Sequence, residues 1–292
     1  MTLETGALDS RAVTIRGSDE LADRLEAGEV ARFDGADWPL PIGADRDLLR
    51  GLRCAWGWKN INFDCASDRL RGAAGATDRA LEVMRRFSED MTAELARRLP
   101  SYARGWTPDQ ATLRPFEEQG RLLPTTARND LLHVDAFPGR PAGRRCILRV
   151  FANIHPDRPR VWRVGPRFPE LFARYGADAG LPGPVGTVGR VQRAIAGWLG
   201  LPAGRRTPYD EFMLRFHDHL KRRSELQQGP ATRLEFAPGE VWAAFTDIAS
   251  HAVESGQFAL EHSYFVRGED LRFPERSPAA VLAAVERKRE FA

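Results

Sequence analysis

The chain has 292 residues, 42% of them hydrophobic, and a formal net charge of +3, enough apolar material for one large domain with a real core. No run approaches the roughly 20 apolar residues of a membrane span, and Met1 to Gly6 is neither basic nor apolar, so neither secretion nor a membrane span is expected, although contact with a membrane surface stays open. Cys54, Cys65 and Cys146 are too few and too scattered for a disulfide framework or a thiolate zinc site, which fits a reducing cytoplasm.

Along the chain, Ser18 to Val30 predicts a short capped helix with Leu21, Leu25 and Val30 near one face, and the Gly- and Asp-rich stretch Gly35 to Asp47 predicts a loop. Thr77 is the N-cap expected for a long helix whose Leu81, Met84, Phe87, Met91 and Leu95 recur at helical spacing until Pro100 ends it. Short strand patterns follow at Leu131 to Phe137 and Cys146 to Ile154, separated by a Gly139–Gly143 loop. Pro166 to about Gln228 reads as largely helical: Glu170 to Tyr175 with Gly176 at its C-cap, an amphipathic Val188 to Leu199, and a charged Tyr209 to Leu226. Strands return at Thr232 to Phe236, Val241 to Thr246 and Phe258 to Val266, and Ser277-Pro278 starts a last helix. The pattern predicts a single α+β domain over 1–292 around an antiparallel β-sandwich or barrel. Its N-terminal helical part runs to about 105, a β core with a helical insert spans about 106–270, and the C-terminal helix covers about 277–292.

Within the first of those strands, His133 and Asp135 are two apart and so share a face. A His-x-Asp pair with a later His is how non-haem Fe(II) oxygenases hold iron while leaving positions open for co-substrate and oxygen. His155-Pro156-Asp157 matches the same pattern, but its prolines make it a turn, and His155 is expected as a surface residue of that turn. Of the later histidines, His217 and His219 lie two apart in a helical stretch and cannot readily share one metal. That leaves His251, after the Val241 strand, and His262, inside the next one, where it could equally be a core or supporting histidine.

An oxo-acid co-substrate needs a cation for its distal carboxylate, and the Arg fork suits that task. Arg149, between apolar neighbours in a strand pattern, and Arg267, just past the Phe258 to Val266 strand, are the two candidates. Charge is also uneven: 18 of the 43 Lys and Arg but only 7 of the 40 Asp and Glu fall between Gly139 and Arg233, which suggests an anionic partner. Without a zinc finger, an RNP-like motif or a basic heptad region, nucleic acid is not expected to be that partner.

Several segments together resemble the Kdo 3-hydroxylase family. They are Lys59-Asn-Ile-Asn-Phe63, Leu70-Arg-Gly72, Leu113-Arg-Pro-Phe-Glu117, Leu132-His-Val-Asp-Ala-Phe-Pro138, Arg145-Cys-Ile-Leu-Arg-Val-Phe-Ala-Asn153, Pro159-Arg-Val-Trp-Arg-Val-Gly165, Ser250-His-Ala252 and Ser255-Gly-Gln257. The similarity runs from about Gly57 to Phe265 and is most specific at the His133 segment and the Arg-rich strand after it. It implies a double-stranded β-helix of jelly-roll or cupin-like form, with flanking helices. It further implies an Fe(II)- and 2-oxoglutarate-dependent dioxygenase that uses O2, releases succinate and carbon dioxide, and hydroxylates C3 of Kdo on lipid A. On this resemblance iron falls on His133, Asp135 and His251 rather than His262, and Arg145, Trp162 and Arg163 become candidates for placing substrate, with Trp162 equally suited to packing. An anionic glycolipid gives the basic middle region a purpose and puts the enzyme at the inner face of the inner membrane. Two departures, Thr125-Thr-Ala-Arg128 and His262, bear on substrate choice more than on the chemistry. The rivals are an iron oxygenase of another small molecule or glycan, and a non-catalytic glycolipid-binding module.

Overall fold

The computed structural model describes residues 17–75, 77–180 and 206–290. Two antiparallel sheets face each other. Their strands are β1 (Ala31–Phe33), β2 (Arg53–Cys54), β3 (Ile61–Asp64), β4 (Arg69–Arg71), β5 (Ala73–Ala74), β6 (Thr107–Arg114), β7 (Cys146–Asn153), β8 (Arg160–Arg167), β9 (Thr232–Phe236), β10 (Val241–Phe245), β11 (Ala249–Ser255) and β12 (Ala259–Val266). The large sheet has the order β1-β10-β7-β12-β6-β3-β4, the small one β11-β8-β9, and β2 pairs with β5 separately.

Both faces of β7, β10 and β12 are buried, so these strands read as nearly continuous apolar runs rather than alternating ones. Leu148, Val150, Ala152, Val241, Ala243, Phe245, Leu260, Tyr264 and Val266 form the outer face and pack on Val83, Met84, Phe87, Met91 and Leu95 of the Asp78–Arg98 helix. Thr77 caps that helix, its side chain accepting from the Ala80 amide at 3.2 Å. Between the sheets, Phe151, Trp162, Phe236, Trp242 and Val253 form a second cluster at one end, with the Phe236 and Trp242 rings stacked at 3.9 Å. A third cluster lies outside the small sheet, where Phe168, Phe172, Phe212 and Phe216 of the Phe168–Tyr175 and Pro208–Lys221 helices cover Leu132, Val134 and Ala252. Thr207 and Asp210 start the second of these helices with a reciprocal capping box.

Several expectations change. Gly35–Asp47 is not all loop: it holds a 3-10 turn at Gly35–Asp37 and the start of a helix at Gly43–Gly51, which escapes notice because Leu49 is its only buried side chain. The N-terminal part is not only helical, since β1, β3 and β4 form both edges of the large sheet. β8 runs past Pro166 to Arg167. The helix expected over 188–199 lies outside the described residues. Leu131–Phe137 is extended but is not a regular strand. It meets β11 through one bridge, His133 with His251, whose two backbone bonds are 3.1 and 2.9 Å. The Asp135 amide then turns to the Thr246 carbonyl at 2.8 Å. Alternation nevertheless survives, because Leu132 and Val134 enter the outer cluster and leave His133 and Asp135 facing inward.

Candidate active site

His133, Asp135 and His251 converge: one ligand atom from each lies within 4.8 Å of the others, and all three residues are buried. The separations are 3.6 Å from His133 Nε2 to Asp135 Oδ1 and 3.9 Å from His251 Nε2 to Asp135 Oδ2. Each imidazole turns its other nitrogen to a backbone carbonyl, His133 Nδ1 donating to Leu131 at 2.6 Å and His251 Nδ1 to Ala249 at 3.1 Å. That tautomer leaves both Nε2 lone pairs facing the carboxylate, the arrangement a metal-ligating histidine requires. Neighbouring rings hold them in place, with Trp162 stacked on His251 at 5.0 Å and His217 edge-on to His133 at 5.0 Å.

The protonation states suit a cation. Burial, reinforced by the Lys221 ammonium, pushes His133 well below its ordinary range, and burial also lowers His251. Burial alone would raise the Asp135 carboxyl, but the Arg149 guanidinium and the two histidines hold it well below the usual carboxylate range. Two neutral imidazoles and one carboxylate are therefore ready near neutral pH, and they are the donor set of a 2-His-1-carboxylate iron centre.

A buried chain of ion pairs leads away from this trio across the inner face of the large sheet. Arg149 Nη1 donates to Asp135 Oδ2 at 2.5 Å and Arg149 Nη2 pairs with Glu261. Glu261 takes Arg114 Nε at 2.6 Å, Arg114 reaches Glu118 at 3.7 Å, and Arg160 lies 3.9 Å from Glu118. The Nε atoms of Arg149 and Arg160 are buried without a partner, so this face has spare donors for an anionic guest. Gly256 closes the chain at close quarters. At φ +127 its carbonyl accepts from Arg160 at 2.9 Å, and a Cβ there would come within 2.7 Å of the Arg160 side chain.

The two Arg candidates separate. Arg149 joins the trio, whereas Arg267 sits past the end of β12 with its side chain 48% exposed and forked onto Asp270 at 2.7 and 2.8 Å. Arg163 also lies elsewhere: as the neighbour of inward-facing Trp162 it must point outward, and it donates to the Gln227 carbonyl at 2.9 Å. Arg145 lies 4.6 Å over the Phe265 ring, which in turn faces Phe137 just beyond Asp135. His262 is a satisfied core histidine on the opposite face, with Nε2 at 2.7 Å from Ser88 Oγ. His155 is in a turn as expected but buried rather than on the surface, its Nδ1 accepting from the Asp157 and Arg158 amides. Arg114, Arg160, Glu118, Glu261, His217 and Lys221 were not anticipated at the site. The signal for Lys221 lay in composition, since Lys59, Lys221 and Lys288 are the only lysines among 43 cationic residues.

The family model described as 3-deoxy-D-manno-oct-2-ulosonic acid (Kdo) hydroxylase matches residues 9–289. The chain belongs to the Kdo hydroxylase family. Comparison with curated proteins gives no match. Among solved structures, the Kdo hydroxylase KdoO, a non-haem Fe(II) and α-ketoglutarate-dependent dioxygenase, is similar in its complex with α-ketoglutarate and Fe(III). There the identity is 31%, the TM-score 0.82, and the match covers 95% of this chain and 92% of that one. Its cobalt(II) complex matches with 31% identity and a TM-score of 0.84 over 95% of this chain and 93% of that one. The jelly-roll fold and the Fe(II)/2-oxoglutarate dioxygenase class follow for this member of the family.

Proposed function

We propose that His133, Asp135 and His251 hold Fe(II) in this Kdo hydroxylase, that Arg149 anchors 2-oxoglutarate, and that the reaction hydroxylates C3 of Kdo carried on lipid A. The observation that carries this reading is the convergence of two carbonyl-oriented imidazoles and one carboxylate inside a buried, cation-rich sheet face. When bound, Fe(II) with 2-oxoglutarate and O2 supplies the oxidising power that turns a C–H into a C–OH, with succinate and carbon dioxide as co-products.

The chain's own residues have three tasks. Trp162 and His217 fix the imidazole planes, and the Phe151, Trp162, Trp242 and Phe236 cluster shuts water out of one end of the sandwich. Arg149 links the two halves of the site: it holds Asp135 through Nη1 and keeps Nε unpaired for the distal carboxylate of 2-oxoglutarate. Arg145, over Phe265 near the Asp135 segment, stands at the rim where an anionic sugar would approach.

Among the described residues no helix is long and apolar enough to cross a membrane. A glycolipid substrate then calls for peripheral contact at the inner face of the inner membrane, with the basic middle of the chain facing anionic lipid. Arg222 is exposed and suits that role, whereas Arg223 is half-buried against His219 and Asp178.

The test is anaerobic Fe(II) titration followed by succinate formation with Kdo-lipid A. One iron per chain is expected, lost in His133→Ala, Asp135→Ala and His251→Ala but kept in His262→Ala. Full iron binding by His251→Ala, with loss in His262→Ala, would overturn the assignment. A selective rise in the 2-oxoglutarate requirement of Arg267→Ala rather than Arg149→Ala would move the anchor.

A further inference from the structure

The last residue of the Pro208–Lys221 helix is a buried cation that has no counter-ion among the described residues. Lys221 is 4% exposed, and its Nζ donates to the Thr126 carbonyl at 3.0 Å. Among the described residues no carboxylate comes within ion-pairing distance of it. An ammonium has three donors, and a buried one is costly unless paired. Its position is not peripheral: it lies one helical turn after His217, whose ring abuts His133, and its charge acts on His133 and Asp135.

We propose that Lys221 receives the carboxylate of the sugar substrate beside the metal centre. The inference rests on the Kdo reading given above and deepens it.

Two arguments carry it. The first is the covalent structure of the substrate class. A 3-deoxy-2-ulosonic acid has its carboxyl carbon at C1 and its 3-deoxy methylene only two bonds away. The cation that recognises the carboxylate must therefore sit beside the iron centre and not on the distant basic surface. Lys221 satisfies that demand; Arg149 does not compete for it because on the reading above its free Nε takes 2-oxoglutarate, and Arg114 is held by Glu261 and Glu118.

The second is charge balance. In the ion-pair chain from Asp135 to Arg160, the cations Arg114, Arg121, Arg149 and Arg160 face only Asp135, Glu118 and Glu261, and Lys221 adds to that excess. A divalent metal and divalent 2-oxoglutarate cancel. The positive charge that remains calls for an anionic guest, and the sugar carboxylate is one.

The test compares synthetic Kdo-lipid A with the same glycolipid carrying carboxamides in place of its sugar carboxylates. Binding is measured without oxygen to protein loaded with Fe(II) and 2-oxoglutarate, and KM in its presence. Wild-type protein is expected to prefer the acid by about tenfold or more, the scale of a lost charge-assisted hydrogen bond. Lys221→Gln, which keeps a donor for Thr126, should lose that preference with an unchanged 2-oxoglutarate requirement, and Lys221→Arg should retain most of it. The same acid-over-amide preference in Lys221→Gln, or none in the wild type, overturns the inference. Failure of the Kdo reading would look different, as no oxygen added to either glycolipid by the wild-type enzyme.

Discussion

The two faces of β12 make the sharpest contrast in the molecule. Leu260, His262, Tyr264 and Val266 point into a packed core against the long Asp78–Arg98 helix, and even the polar His262 is satisfied there by Ser88. Glu261, one residue away, points the other way into a chain of ion pairs that ends on Asp135. Burial is equally complete on both faces, so what separates them is how burial is compensated, by packing on one side and by charge pairing on the other. Buried ion pairs are poor providers of stability compared with apolar packing of the same volume. Their presence on one face only marks that face as the one shaped by chemistry.

The largest effect expected from breaking this contrast is on activity. Asp135→Ala removes the proposed metal donor and the partner of Arg149 at once, and should lower Kdo hydroxylation by at least about 100-fold in a succinate assay, more than loss of a merely supporting partner. Next comes Glu261→Gln, which removes the carboxylate shared by Arg149 and Arg114, leaves them only Asp135 and Glu118 as counter-charges, and should cost about 3–5 kcal/mol in denaturant unfolding, with activity falling too. On the other face, Leu260→Ala should cost about 2–5 kcal/mol through the cavity it opens, yet leave kcat per folded molecule unchanged. Equal losses of kcat in Leu260→Ala and Glu261→Gln would erase the distinction between the faces.

A pH titration sharpens the same comparison. Burial pushes His262 down to about 4, so between pH 6.5 and 4 the unfolded chain binds a proton that the folded one refuses. That histidine therefore contributes stability above pH 6.5, on the order of 3 kcal/mol, which is lost as pH falls toward 4. Glu261 is raised by burial but pulled down to about 2 overall by Arg114 and Arg149, so its contribution is present above about 4.5 and is lost lower, toward pH 2. His262→Gln should flatten the unfolding midpoint between pH 6.5 and 4 and leave the steeper acid limb in place. The smallest expected change is Thr77→Ala at the long helix N-cap, about 1 kcal/mol of stability with no change in KM for either substrate.

The sequence was most legible where a periodic pattern and a cap coincided, as at Thr77 with its Leu81 to Leu95 stripe, or where β-rich runs stood between turn residues, as at Cys146 and Ala259. The pairing of His133 with Asp135 was legible because i and i+2 alternation persists even in an irregular extended segment such as 131–137, whereas the choice of His251 over His262 came from the family resemblance rather than from the pattern. The ion-pair chain was not. Arg114, Glu118, Arg160 and Glu261 are brought together only by lateral strand register, β12 against β6 and β7, and by the fold of one sheet over the other. No local spacing encodes those contacts. Arg163 was misplaced for the opposite reason: its neighbour Trp162 was equally eligible for the inner face, and only one of two adjacent strand residues can face inward.

The central claim is that oxygen is inserted into the sugar at the His133, Asp135 and His251 centre. The most direct measurement is mass spectrometry of Kdo-lipid A incubated with Fe(II), 2-oxoglutarate and isotopically heavy O2, using wild-type protein, His251→Ala and His262→Ala. The account predicts a product carrying one heavy oxygen on the Kdo unit from wild type and His262→Ala, and none from His251→Ala. A heavy-oxygen product from His251→Ala at the wild-type level, or a wild-type product whose added oxygen comes from water, would contradict it.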